Sequence, residues 1–134
     1  MTMVWPTLVT LGALALYYWM TIAVSQARRK YKILAPAIIG NPDFERVFRV
    51  QMNTLEWLPI FLPALWLCAF YVDPRVAAGL GVVWIIGRAM FMQGYIATPD
   101  KRHAGYIVQT IAAILLWIGA LSGAVWSIIQ NGVQ

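Results

Sequence analysis

The sequence predicts an all-α fold, an integral membrane bundle of four helices running up-down-up-down in a single domain over residues 1–134. Three observations predict it. The chain is 61% hydrophobic and only 11% charged, whereas soluble domains run at about 45–50% and about 25%. A domain of this size keeps much of its surface in water, so the apolar excess must face lipid. Long segments such as residues 4–27 and 104–129 carry no charge, and about 20 apolar residues suffice to cross a bilayer. Proline-bearing turn signatures separate the apolar runs.

The first span lies within about residues 4–27. It lacks a basic leader, is too long for a signal peptide, and is followed rather than preceded by its charges. The second span runs over about 44–71, the third over about 74–97 and the fourth over about 99–129. Three starts share one pattern: Asn41-Pro42-Asp43, Asp73-Pro74 and Thr98-Pro99-Asp100. Asn, Asp and Thr cap free backbone N–H groups, proline suits the first helical position, and an acidic residue there favours the positive end of the helix dipole. The second and third loops are therefore short, which makes successive helices antiparallel neighbours.

Net charge is +5, but it sits in clusters beside apolar runs: Arg28, Arg29, Lys30 and Lys32, then Lys101 and Arg102. No nucleic-acid-reading module accompanies it, so nucleic acid is not an expected partner. The positive-inside rule places loops one and three in the cytoplasm and both termini outside. The bacterial inner membrane and the endoplasmic reticulum fit this equally well. Trp5, Trp19, Trp57 and Trp126 lie toward span ends, as in an interfacial belt. Cys68 is the sole cysteine; no internal disulfide can form, and a buried, inert thiol is expected. Pro59 and Pro63 predict a kink in the second helix. His103 is expected on a loop surface, and no metal enters this reading.

The second helix is more than an anchor. Arg46, Arg49, Asn53 and Glu56 fall at i, i+3, i+7 and i+10, on one helical face. Arg88, Phe91 and Tyr95 repeat the pattern on the third. Ionisable groups at this depth cost at least a few kcal/mol when they face lipid. They must face one another or a wet cavity. One reading is structural, with Arg88 paired to Glu56 as glue between helices. The other is a binding site. Basic residues outnumber acidic ones on the stripe, and arginines for carboxylates with Glu56 for an ammonium suit a zwitterionic peptide.

The run Phe44-Glu45-Arg46-Val47-Phe48-Arg49-Val50-Gln51-Met52-Asn53-Thr54-Leu55-Glu56, continuing through Pro59-Ile60-Phe61-Leu62 and Leu65-Trp66, resembles the signature of the MAPEG family, membrane-associated proteins in eicosanoid and glutathione metabolism. Gly87-Arg88-Ala89-Met90-Phe91-Met92-Gln93-Gly94-Tyr95 resembles the family's third helix, and Arg28-Arg29 fits as well. The branch most similar is that of leukotriene C4 synthase and microsomal glutathione transferases 2 and 3. The resemblance implies a homotrimer with glutathione, a co-substrate, bound between neighbours. Arg49, Asn53, Glu56 and Tyr95 would contact it, and Trp57 and Phe91 would stand where the leukotriene synthase has tyrosines. Arg28 and Gln51 would reach in from the adjacent subunit. Arg88 would organise the site from below, and Arg102 would be the catalytic arginine at the sulfur.

A free thiol with a pKa near 8.5 is about 3% ionised at pH 7, and making the thiolate dominant takes roughly 2.7 kcal/mol. A guanidinium in a poorly hydrated site supplies an effect of that size. The expected activity is transfer of the glutathione thiolate to a lipophilic electrophile from the bilayer, with peroxidase or leukotriene C4 synthase-like activity also open. Two alternatives in the same family are a lipid-binding scaffold resembling 5-lipoxygenase-activating protein, whose branch lacks the Arg49 equivalent, and a glutathione-dependent isomerase resembling prostaglandin E synthase. A small multidrug transporter is disfavoured, because such proteins carry a carboxylate in their first helix and this one has none.

Overall fold

Local chemistry fixes where each helix begins. The computed structural model describes residues 2–132. Its helices are α1 (Val4–Tyr31), α2 (Pro42–Tyr71), α3 (Pro74–Ala97) and α4 (His103–Asn131). At α2 the Asn41 side-chain oxygen accepts from the backbone N–H groups of Asp43 (2.9 Å) and Phe44 (3.1 Å). At α3 the Asp73 carboxylate accepts from Arg75 (2.7 Å) and Val76 (3.2 Å). Each cap satisfies donors that the first helical turn leaves orphaned. The third signature behaves differently. Thr98 makes no side-chain cap bond, and Pro99–Arg102 forms a 3-10 turn that leads into α4.

All four helices are long and apolar enough to cross a membrane. α1 extends past the expected residue 27, because Arg28, Arg29 and Lys30 continue its last turn. Cations are stabilised at a helix C-terminus, and long basic stems reach out of the apolar layer. Lys32 ends the helix in the left-handed conformation, at φ 55°. α2 runs unbroken through Pro59 and Pro63. Both prolines line an apolar cleft of about 530 Å³ with Trp117 and Leu121.

The core centres on Phe61 of α2 and Trp84 of α3, whose rings stack 3.9 Å apart and nearly parallel. Leu58, Leu65, Ala77 and Leu116 close around them. Cys68 is buried in the same cluster, as expected for a packing thiol. Side chains such as Leu14, Ile86, Ile114 and Trp117 stand exposed on the outer faces. That inverts a soluble protein's pattern and suits a surface solvated by lipid tails.

α3 and α4 touch through glycine. A Cβ on Gly105 would sit 2.2 Å from the Phe91 nitrogen and 2.6 Å from the Gly87 oxygen. Small residues that let backbones meet are the chief means of joining helices where no hydrophobic drive exists between them. This contact fixes the start of α4 against the last turns of α3.

Candidate functional site

The antiparallel order brings the start of α2, the end of α3 and the start of α4 to one end of the bundle. A cavity of about 340 Å³ opens there, lined by Arg49, Asn53, Phe91, Tyr95, Arg102, His103 and Tyr106. Its polar groups come from three helices.

On α2, Arg49 and Glu56 lie two turns apart and meet as a fork. Arg49 Nη1 donates to Glu56 Oε1 at 3.1 Å and Nη2 to Oε2 at 3.4 Å. Asn53, between them, donates from Nδ2 to Glu56 Oε2 at 3.5 Å. Both charged partners are about half exposed, each at 52%, so the pair is wet and exchangeable.

Arg88 of α3 lies beneath and is fully buried. Its Nη1 donates to Asn53 Oδ1 at 2.7 Å and to Thr54 Oγ1 at 3.4 Å. The guanidinium carbon sits 4.6 Å from the Phe91 ring centre, 5.6 Å from Trp84 and 5.9 Å from Trp57. Aromatic faces stabilise a desolvated cation, and they stand in where hydrogen bonds are missing: Nε and Nη2 have no partner. The Arg88–Glu56 pair of the structural reading does not form. Glu56 answers Arg49 on its own helix, while Arg88 holds the amide of Asn53.

The wall is aromatic. Tyr95, Phe91, Tyr106 and Trp57 follow one another at ring separations of 5.5, 6.0 and 5.8 Å. The Arg102 guanidinium rests 5.3 Å over the Tyr95 ring. Trp57 is therefore half-buried against α3 and α4, not part of an interfacial belt. Trp5 and Trp126 are exposed near helix ends, whereas Trp19, also exposed, lies at the middle of α1 and not at a span end.

Three polar residues of the sequence pattern lie elsewhere in the chain. Arg46 donates from Nε to the Ile96 carbonyl at 3.2 Å and pairs with Asp43, tying α2 to the end of α3. Gln51 faces α1 and donates to Thr21 Oγ1 at 3.0 Å. Arg28 donates to the carbonyls of Ala37 (2.7 Å) and Ile33 (3.5 Å) and stacks over Phe44 at 4.9 Å, fastening the first loop. Two lining residues were not singled out as binding groups from sequence. Tyr106 follows Arg102 by four residues, the spacing of a shared helical face. His103 is exposed, as expected, but it opens α4 instead of sitting in a loop, and it borders the cavity.

The sequence model of the MAPEG family matches residues 6–122. The chain belongs to the MAPEG family. Together with its four apolar helices, this makes it an integral membrane protein. An uncharacterized protein of Synechocystis sp. is 46% identical over 128 residues, covering 96% of this chain and 93% of that one. Human microsomal glutathione S-transferase 2 is 41% identical over 104 residues, 77% of this chain and 71% of its own length. Mouse leukotriene C4 synthase is 31% identical over an alignment of 134 positions, covering 94% of this chain and 89% of the enzyme. Within this MAPEG chain, Arg49, Asn53, Phe91, Tyr95 and Arg102 share the cavity, Glu56, Trp57 and Arg88 pack around it, and Arg28 and Gln51 do not line it.

Proposed function

We propose that the protein is a membrane glutathione transferase that adds the glutathione thiolate to lipophilic electrophiles drawn from the bilayer. The observation that carries this reading is the cavity itself, which gathers two guanidiniums and an amide at one end of a membrane bundle, with the half-exposed Glu56 carboxylate paired to its Arg49. Glutathione bears two carboxylates, one ammonium and a thiol. Its charged ends match Arg49 and Glu56, which pair with each other. A carboxylate on Arg49 and an ammonium on Glu56 replace that half-exposed pair with two charge-assisted contacts. Relatives named as glutathione S-transferase and leukotriene C4 synthase support the same chemistry.

In this reading Arg102 is the catalytic group. A guanidinium held at the cavity wall favours the thiolate over the thiol by opposite charge. The nucleophile belongs to glutathione, so the chain needs no reactive Cys or Ser of its own. Asn53, Tyr95, Trp57 and Phe91 shape the pocket, and Arg88 sets the Asn53 amide from below. The reading also includes one domain over the whole chain, a homotrimer in which Arg28 and Gln51 of one subunit face the site of the next, and both termini outside with loops one and three in the cytoplasm. Protein reconstituted in vesicles should form a thioether from glutathione and 1-chloro-2,4-dinitrobenzene. Absence of both conjugate and glutathione binding rejects the proposal in favour of a lipid-binding scaffold.

A further inference from the structure

Tyr106 has a place in the cavity that the thiolate-stabilising role leaves unused. We propose that Tyr106 is a second catalytic residue of this site, donating its phenolic proton to the oxygen anion released when an oxygen-bearing electrophile is opened. The inference rests on the glutathione transferase reading above and adds a role that reading does not contain.

Four observations support it. Tyr106 lines the same cavity as Arg49 and Arg102. It stands four residues beyond Arg102, and both side chains line the one cavity. Its ring is held on two sides, by Phe91 at 6.0 Å and edge-on by Trp57 at 5.8 Å. The neighbouring Gly105 is the point where α4 meets the backbone of α3, so the base of the side chain is fixed by a direct backbone contact between helices. A phenol O–H is acid enough to protonate an alkoxide. The α3 wall offers no such group at Phe91, which has no hydroxyl.

The step balances with an epoxide as the probe. The thiolate sulfur forms a bond to one ring carbon, and that carbon's bond to oxygen breaks. The electron pair moves onto the oxygen, and the Tyr106 proton follows. The phenolate recovers a proton from water at the cavity mouth, beside exposed His103. With an aryl chloride the leaving chloride needs no proton, so the same residue has nothing to do.

The test compares these two substrates on the full-length protein in vesicles. Tyr106→Phe should keep the bound-thiolate absorbance and lower kcat for styrene oxide ~100-fold more than kcat for the aryl chloride, a difference of the size of general acid catalysis. An unchanged epoxide rate, or equal loss on both substrates, overturns the proposal and leaves the transferase reading intact. Absence of any thiolate in the wild-type protein overturns both. If the variant loses the thiolate signal through misfolding, fluorotyrosine at position 106 decides. Its more acidic phenol should move the alkaline limb of the epoxide rate downward in pH, and an unmoved limb rejects the role.

Discussion

Replacing Gly105 with alanine tests the packing that sets the site. A Cβ there meets the Phe91 nitrogen at 2.2 Å, the Gly87 oxygen at 2.6 Å and the Met90 carbonyl carbon at 2.7 Å. All three are backbone atoms of α3, so no rotamer change relieves the clash; the helices must part. Overpacking of a well-filled interior costs about 1–3 kcal/mol, and an all-backbone clash belongs at the upper end. Alanine recovers up to about 1 kcal/mol of helix propensity over glycine. The net loss is then roughly 2 kcal/mol, a fall in the unfolding midpoint on the order of 5–10 °C. Gly79→Ala is the control, since nothing lies within 4 Å of its Cβ position and such surface changes stay within about 0.5 kcal/mol. Thermal unfolding of both variants in the same detergent gives the answer. A Gly105→Ala protein as stable as Gly79→Ala would refute the argument that α3 and α4 are locked by backbone contact.

Two further outcomes follow from the site. Arg49→Ala removes the Glu56 partner and the proposed carboxylate contact, and should weaken glutathione binding at least tenfold by equilibrium titration; unchanged affinity would remove Arg49 from the binding role. Arg88→Met takes away the 2.7 Å bond that holds Asn53 and should raise KM for glutathione more than it lowers kcat. The double variant with Asn53→Ala should be little worse than either single one, whereas additive losses would show that Arg88 acts through some other group.

Much of the fold was legible in the sequence because it rests on local rules. Asn41 and Asp73 cap as their side chains dictate, and the uncharged runs match the spans. The ends were less legible. Arg28 to Lys30 prolong α1 because a helix does not stop where lipid does, and Pro99–Arg102 tightens into a 3-10 turn instead of starting α4 directly. In the site, helical period put Arg49, Asn53 and Glu56 together, as observed. Period alone did not decide which cation Glu56 meets, since an intrahelical partner at i−7 and an interhelical one at Arg88 were both within reach. Nor did it reveal the Trp57–Tyr106–Phe91 wall, which depends on how closely Gly87 and Gly105 let α3 and α4 approach. Trp57 misled because an indole suits both a membrane interface and a cation's flank.

The most direct test of the central claim is the ultraviolet absorbance of glutathione bound to the purified protein at neutral pH, in the wild type and in Arg102→Ala. The account predicts a thiolate band in the wild type that disappears in the variant while glutathione still binds. A thiolate band of equal strength in Arg102→Ala, or bound glutathione with no thiolate in the wild type, would contradict it.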